Sequence, residues 1–309
     1  MALIATFGNI IAFLYNFLSF RSRAISAYSI FTCNLNFSDM LMGLYLYIIA
    51  FINLVYTGTY GLEDYSWRHS TLCTVAGIIA TTSSESSALF VSLITLDRIL
   101  AIRNPLSWRR LTKVGASLLS ILSWVISLSL AVFPILPMDL SSFYDFYAQT
   151  SICIYLPLSV HRKSGWQYSV AVFVGFNFFL FLGILVGQFM ILFEVIKSGR
   201  KVQSSGTLQR DIALAKSVCA VVVTDLFCWI PIGIIGMLTF SGIDVSPEVY
   251  AWIIVLVLPV NSALNPILYT LSAFLRERIR KTKKNCILPC QTNADSADPE
   301  LTTTAIKED

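Results

Sequence analysis

Four acidic side chains stand within or at the ends of long apolar stretches of this sequence, where a charge is costly to bury. They are Asp39, Glu85, Asp97 and Asp225. Ionisable groups at membrane depth usually face the interior of a helix bundle and mark a functional site. Carboxylates in such a place could regroup their hydrogen bonds, relay protons or hold a cation. The alternative for each residue is a hydrogen bond between helices that only holds the bundle together.

Amide, hydroxyl and aromatic side chains recur near these acids at helical spacing. Asn261, Asn265 and Tyr269 are four residues apart, so one face of a helix carries all three. Asp225 and Trp229 share a face in the same way. The pattern predicts a polar core that joins several helices.

The composition predicts the elements that position this core. Of the 309 residues, 56% are apolar and 13% are charged, whereas soluble proteins contain about 25% charged residues. Seven apolar stretches reach or approach the roughly 20 residues that cross a bilayer. They are 1–20, 28–56, 72–102, 114–137, 167–196, 212–240 and 248–271. Lipid cannot satisfy open backbone groups, so we expect an all-α membrane protein with a bundle of seven transmembrane helices over 1–271.

The basic residues predict how the bundle is oriented. Of the 22 Lys and Arg residues, all but Arg68, Arg162 and Lys163 fall in alternate loops or in the tail. Loops that are rich in Lys and Arg stay in the cytoplasm. The C-terminus is therefore predicted to be cytoplasmic, and Met1 is predicted to face outside.

The tail divides into two predicted parts. Residues 272–284 combine an apolar face with many basic residues, which suits a short amphipathic helix on the membrane surface, in contact with lipid. Residues 285–309 are polar and are predicted to be disordered. Cys286 and Cys290 are candidate palmitoylation sites, and two reduced cytosolic thiols are the alternative.

Several functional classes lack their signature in this sequence. His69 and His161 lie far apart in polar segments, so they form neither an HExxH pair nor a metal cage. No nucleophile elbow, dinucleotide fingerprint, phosphate loop or nucleic-acid motif occurs. A transporter could use the buried acids, but we find no internal repeat of the kind that transporters contain. These observations count against the enzyme, metal-site, nucleic-acid-binding and transporter classes.

Short motifs occur in a fixed order along the chain. They are Gly8-Asn9, Leu35-Asn36-Phe37-Ser38-Asp39, Cys73, Asp97-Arg98-Ile99, Pro105-Leu106, Trp124, Cys153, Cys228-Trp229-Ile230-Pro231 and Asn265-Pro266-Ile267-Leu268-Tyr269. Each motif is weak alone, but the ordered set at the right helix ends is specific. In this set the chain resembles the rhodopsin-like G-protein-coupled receptors across nearly its whole length.

Within that family the chain looks most like the relaxin receptors and their relatives with leucine-rich ectodomains. Asp225 replaces an aromatic residue common elsewhere in the family, Trp229 favours the relaxin type over the glycoprotein hormone type, and Glu85 fits this branch. Three features depart from the family pattern. The third helix ends in Asp-Arg-Ile rather than Asp-Arg-Tyr, the fifth has no proline, and Gln188 stands near the usual position of an activation tyrosine.

The resemblance implies roles for particular residues. Cys73 and Cys153 would form a disulfide on the oxidising outer side, with two free thiols as the alternative. The remaining roles are a sodium-binding polar switch, an activation element and a G-protein contact. The residues implied are Asp39, Ser87, Asn261 and Asn265 for the sodium-binding switch, Asp225, Trp229, Pro231 and Tyr269 for activation, and Asp97, Arg98 and Leu106 for the G protein.

The resemblance also implies a function. The chain is expected to be a multi-pass receptor of the plasma membrane that transmits a relaxin-like or related protein or peptide hormone signal to a heterotrimeric G protein. No cofactor is expected beyond the sodium ion, and no nucleic-acid partner. Since only eight residues precede Asn9, the chain is read as a fragment or an incomplete gene product whose hormone-binding ectodomain is absent. A truncated receptor or decoy that does not signal is the alternative.

Overall fold

The computed structural model describes most of the helical part of the chain. It covers residues 1–22, 26–103, 111–136, 146–154, 165–199, 220, 223–224, 226–228, 230–231, 233–235, 238–239, 241–243, 245–246, 249 and 252–271. The predicted segments 272–284 and 285–309 lie outside the described residues. So do Leu106, Asp225, Trp229, Cys286 and Cys290, and the side chain of Tyr269.

Helices occupy the described parts of the predicted apolar stretches. In chain order they are α1 (Ala2–Ser22), α2 (Ala27–Val55), α3 (Tyr60–Arg68), α4 (Thr71–Arg103), α5 (Lys113–Val132), α6 (Trp166–Ser169), α7 (Asn177–Gly199) and α8 (Leu258–Asn265). Shorter 3-10 turns cover Phe133–Ile135 and Tyr147–Gln149, and π-helical turns cover Val170–Phe176, Ile253–Val257 and Pro266–Leu271. Throughout the described ranges the structure contains helices and no strand, as the sequence predicts.

Three helical stretches in the described part are long and apolar enough to cross a membrane by composition alone. They are Ala27–Val55, Lys113–Ile135 and Trp166–Glu194, and the shorter apolar helices are Ala2–Leu18, Leu226–Ile235 and Val255–Leu268. Although α4 has 33 residues, it is less apolar because Thr81, Ser83 and Glu85 lie in its middle and are buried. A helix that other helices surround can carry polar residues on its buried face.

Side-chain caps set where two helices begin. The Ser26 hydroxyl accepts a hydrogen bond from the backbone N–H of Ser29 at the start of α2, and Thr112 does the same for Gly115 at the start of α5. These bonds satisfy N–H groups that have no partner in the first turn of a helix. The caps lie at the end of the bundle opposite to Cys73. We call the Cys73 end the outer end, following the orientation predicted from charge.

The short helix α3 is not among the predicted elements, because it lies in the polar segment 57–71 between two apolar stretches. Glu63 lies in the first turn of α3 and Arg68 in its last, which suits the helix dipole. Arg68 also forms an ion pair of 2.8 Å with Asp64 one turn earlier. Trp67 is buried and donates its indole N–H to the Ser151 carbonyl at 2.8 Å, so α3 is anchored to the loop that follows α5.

Two apolar clusters form the core. The outer cluster contains Tyr45, Trp67 and Cys73. The inner cluster contains Phe31 and Phe90. Buried polar residues of α2 and α4 lie in the same helices between these clusters along the chain. The fold therefore encloses polar groups in its middle and covers them with apolar packing towards both ends.

Candidate functional site

The side chains of Ser87 and Asn265 meet Asp39, which lies in the middle of α2. Its carboxylate is fully buried. Ser87 of α4 donates its hydroxyl to Oδ1 at 3.0 Å, and Asn265 at the end of α8 donates its amide Nδ2 to Oδ2 at 2.7 Å. Each bond satisfies one oxygen of a carboxyl group that would be costly to bury without a partner. We call Asp39, Ser87 and Asn265 the Asp39 cluster, and it joins three helices that are distant in sequence.

Serine side chains bring α2 and α4 close enough to form this cluster. Ser38 donates its hydroxyl to the Ser83 carbonyl at 2.8 Å, and Ser83 donates in return to the Ser38 carbonyl at 2.7 Å. Small residues of this kind allow two helix backbones to approach closely within a membrane. Since Asp39 follows Ser38 and Ser87 lies one turn after Ser83, the reciprocal pair sets their separation.

The first helix is tied to the same region. Asn9 is fully buried, and its Nδ2 donates both to the Ala5 carbonyl at 2.7 Å and to the Ser262 carbonyl of α8 at 2.8 Å. Ser262 lies three residues, or about one turn, before Asn265. The bond therefore holds α8 next to α1 at the level of the Asp39 cluster.

A small cavity lies beside the Asp39 cluster. Its lining residues are Met42, Ser84, Ser87, Ala88, Val91, Asn177, Leu180, Phe181, Ile184, Cys228, Asn261 and Ser262. The cavity has a volume of about 40 Å³, and one water needs about 10–15 Å³. We call this space the central cavity. It brings Asn261 of the sodium prediction to the same place as Ser87.

A second buried carboxylate lies in α4. Glu85 is fully buried, and Asn177 at the start of α7 donates its Nδ2 to Glu85 Oε1 at 2.9 Å. Glu85 is one of the residues predicted from the sequence, whereas Asn177 is not. A signal was present, because Asn177 is a carboxamide within the apolar stretch 167–196, where an unpartnered polar group is costly. The π-helical turn Val170–Phe176 directly precedes Asn177, and such turns often occur at functional sites.

The outer end is closed by a loop segment, residues 146–154, which we call the outer cap. The predicted disulfide between Cys73 and Cys153 is present, with a Cα–Cα distance of 5.3 Å. Cys153 has a φ of 55°, in the left-handed region that residues other than glycine rarely adopt. The disulfide thus fixes the cap to the start of α4.

Further bonds to backbone carbonyls hold the outer cap in place. Tyr45 of α2 donates its hydroxyl to the Ile152 carbonyl at 2.8 Å. Tyr147 inserts in the other direction and donates to the Ala131 carbonyl of α5 at 2.7 Å. Burial raises the pKa of the Tyr147 phenol, so that it remains a donor. The sequence contains no pattern that identifies Tyr147 as an anchor.

At the inner end, the predicted pair of Asp97 and Arg98 is formed. Arg98 Nη2 lies 3.0 Å from Asp97 Oδ2, and the Arg98 guanidinium lies 3.9 Å from the centroid of the Tyr28 ring on α2. Thr95 lies about one turn before Arg98 on α4, and Gln188 of α7 donates its Nε2 to the Thr95 hydroxyl at 3.0 Å. Gln188 therefore connects α7 to α4 close to Arg98, in the place where the family pattern suggested a tyrosine.

The activation element is described only in part. Pro231 is half-buried within a helical run, and its predicted partners Asp225 and Trp229 lie outside the described residues. Tyr269 falls in the π-helical turn Pro266–Leu271. The roles of these residues therefore stay predictions.

The chain is similar to known receptors over most of its length. The family model for 7 transmembrane receptors of the rhodopsin family matches residues 8–269. The G-protein coupled receptor GRL101 of Lymnaea stagnalis is 37% identical over 292 residues, which are 93% of this chain and 26% of the relative. Relaxin receptor 2 of Canis lupus familiaris is 32% identical over 285 residues, which are 91% of this chain and 38% of the relative. Relaxin receptor 1 of Homo sapiens is 31% identical over 237 residues, which are 76% of this chain and 31% of the relative. The chain thus spans between about a quarter and two fifths of the length of these relatives.

Proposed function

The chain belongs to the rhodopsin family of seven-transmembrane receptors, and from that premise we propose that it transmits an extracellular hormone signal to a heterotrimeric G protein. Its fold is accordingly a seven-helix bundle, and it is a multi-pass receptor rather than an enzyme. We propose that its C-terminus lies in the cytoplasm, because nearly all Lys and Arg residues fall on that side.

The Asp39 cluster is the observation that supports signalling most strongly. A buried carboxylate that two other helices satisfy with single side-chain bonds can exchange those partners when the helices move. An agonist shifts the population towards the active arrangement only if it binds that arrangement better. We therefore assign the bundle two arrangements that differ in which groups satisfy Asp39.

The chemical class of the signal is proposed from the relatives. Two of them are named as relaxin receptors, and Glu85 and Trp229 match that branch. We propose a relaxin-like or related peptide or protein hormone as the ligand. The outer cap is the surface of the described part that such a ligand, or a domain that binds it, would approach from outside.

Arg98 is proposed to contact the G protein. Asp97 and the Tyr28 ring hold its guanidinium at the inner end of α4, while more than a third of the side chain remains exposed. Release from these partners would leave the whole guanidinium, with its five N–H donors, available for a new contact. Leu106, in the loop that follows, would supply the apolar part of that contact.

The test is G-protein activation by the full 309-residue chain in cells that carry dissociation sensors for each class of G protein. Arg98→Ala is expected to abolish the basal activity of the chain, at unchanged surface expression. Arg103→Ala is the matched control, because it removes an exposed arginine from the last turn of the same helix. If Arg98→Ala signals as the wild type does, or if no G-protein class responds to the wild type, the proposal is wrong.

A sodium ion at Asp39 is a separate proposal. The carboxylate has more acceptor sites than the two that Ser87 and Asn265 use, and the adjoining central cavity has space for water ligands. A cation there would offset a negative charge that is costly to bury. The melting temperature of the purified protein should be higher in NaCl than in choline chloride, and Asp39→Asn should remove the difference. Equal melting temperatures of the wild type in the two salts would contradict the proposal.

A further inference from the structure

The inner half of α7 is held against α4 by a buried hydrogen bond. Gln188 of α7 donates to the Thr95 hydroxyl, and the two residues are 4% and 3% exposed. We propose that Gln188 is a positioning residue for Arg98, because its bond to Thr95 holds a resting arrangement that has to open before a G protein reaches Arg98. This inference rests on the proposed function. It gives Gln188 a restraining role, which is the opposite of the role expected of an activation residue.

The donors and acceptors at Thr95 fix the direction of the bond. A threonine hydroxyl has one proton to donate, and Thr95 donates it to the Val91 carbonyl one turn earlier, at 2.8 Å. The Thr95 hydroxyl can therefore only accept from α7, so the group that faces it is the NH₂ group of Gln188. Separation of α7 from α4 leaves the Thr95 proton satisfied, and only the Gln188 amide has to find a new acceptor.

A glycine next to Gln188 makes the approach of the two helices close. A Cβ at Gly187 would lie 2.5 Å from Thr95 Cγ2 and 3.2 Å from Ile99 Cδ1, so a larger residue would displace one of the helices. About one turn earlier on α7, a Cβ at Gly183 would meet nothing within 4 Å. Of these two glycines, only Gly187 lies against α4. We call the contact of Gln188 and Gly187 with Thr95 the inner contact.

The inner contact lies beside the arginine that is proposed to meet the G protein. Thr95 and Ile99 flank Arg98 on α4, three residues before it and one residue after it. In the same arrangement Asp97 and Tyr28 hold the Arg98 guanidinium. Since α7 covers Ile99, a G protein that contacts Arg98 needs the inner half of α7 to move away. The inner contact therefore belongs to the arrangement in which Arg98 is not available.

The two partners of the bond can be removed singly or together. Thr95→Val keeps the shape of the side chain but leaves the buried Gln188 NH₂ group without its acceptor. A net hydrogen bond corresponds to roughly a 2–12-fold change in an equilibrium, and basal G-protein activation should rise by about that factor. In Thr95→Val/Gln188→Leu two apolar side chains meet, which is nearly neutral, so activation should return towards the wild-type level. Activation that falls in Thr95→Val, or that falls below the wild type in the double variant, would overturn the proposal.

Two glycine variants test the inner contact without changing a polar group. Gly187→Ala should push α7 away from Thr95 and raise basal activation several-fold. Gly183→Ala is the matched control on the same helix, and it should leave activation unchanged because its methyl group meets open space. Equal activation in the two variants would overturn the proposal.

A distance measurement tests the inner contact without a G protein. Spin labels on ketone amino acids in place of Val114 of α5 and Ile196 of α7, which are 70% and 49% exposed, report how far apart the inner ends are. Because α5 and α7 both pack against α4, double electron–electron resonance of the full chain in nanodiscs should show an added longer distance in Thr95→Val and in Gly187→Ala. Unchanged distances in both variants would overturn the proposal even if signalling changed. Longer distances without any G-protein response would support the inner contact and contradict the proposed function.

Discussion

The outer cap and the Asp39 cluster are held together by different kinds of bond. The cap is fixed by a disulfide and by side chains that donate to backbone carbonyls, as Tyr45 and Trp67 do. In the Asp39 cluster, side chains bond to one another across helices. A backbone carbonyl moves only with its whole segment, whereas a carboxylate can accept from a new donor after a small rotation. The difference indicates that the cap provides a fixed frame and that rearrangement is concentrated in the core.

Loss of the disulfide should have the largest effect on stability. Cys73→Ser breaks a crosslink between residues 80 positions apart, and removal of a native disulfide costs about 2–5 kcal/mol. The melting temperature of the purified protein should fall steeply, and surface expression should fall with it. Cys33→Ala is the control, because Cys33 is also buried but lies outside the disulfide. Equal melting temperatures of Cys73→Ser and Cys33→Ala would show that the outer cap stays fixed without the disulfide.

Neutralisation of Asp39 should have the opposite profile, with a large effect on signalling and a small one on folding. Asp39→Asn keeps the shape of the side chain but removes the charge that Ser87 and Asn265 both satisfy. Couplings between sites in receptors are typically about 1–3 kcal/mol, or roughly 5–150-fold, and we expect G-protein activation to fall within that range. Asp64→Asn, which alters the half-buried pair with Arg68 in α3, should leave signalling unchanged. If Asp39→Asn lowers the melting temperature as much as Cys73→Ser does, the outer cap and the Asp39 cluster do not differ in the way described.

A methyl group added at either of two glycines tests how rigidly the outer cap is packed. A Cβ at Gly77 would overlap the Tyr147 ring and crowd the Cys153 carbonyl, whereas a Cβ at Gly8 would lie 3.5 Å from Pro266 Cγ, an ordinary contact. Overpacking costs about 1–3 kcal/mol, so Gly77→Ala should lower the melting temperature. Gly8→Ala should leave it unchanged or raise it, because alanine favours a helix by up to about 1 kcal/mol. Equal melting of the two variants would show that the cap yields to the added methyl group.

The smallest effect is expected at the inner end. Tyr28→Leu removes the ring beneath the Arg98 guanidinium, and a cation–π contact of a partly exposed side chain contributes about 0.5–1 kcal/mol. Basal G-protein activation should therefore rise by no more than about fivefold. Tyr28→Phe keeps the ring and should match the wild type. A rise in both variants would assign the effect to the hydroxyl group rather than to the ring.

The sequence was sufficient to predict the elements whose signal is periodic and long. The stretch 72–102 corresponds to α4 at Thr71–Arg103, and 28–56 corresponds to α2 at Ala27–Val55, because membrane depth sets the length of a spanning helix. The short helix α3 was missed because its nine residues carry no apolar period. Its acidic start and basic end were the only local signals.

The site was predictable where a polar residue stands out against apolar neighbours. Asp39, Asn265 and Glu85 were recognised in this way. Their partners were harder to identify, because a hydrogen bond such as Asn177 to Glu85 depends on how two helices are rotated. The contact of Tyr28 with Arg98 and the insertion of Tyr147 arise from packing that no local pattern records.

The π-helical turn Val170–Phe176 has a consequence for the geometry of the fifth segment. Tyr168 and Asn177 are nine positions apart, which is about two and a half turns at 3.6 residues per turn. In a regular α-helix they would point in opposite directions. The wider turn absorbs part of that half-turn, so Tyr168 reaches the Leu130 carbonyl at 2.7 Å while Asn177 reaches Glu85. The π-helical turn thus allows one helical segment to form hydrogen bonds with two neighbouring helices. A regular α-helix in its place would break one of these two bonds.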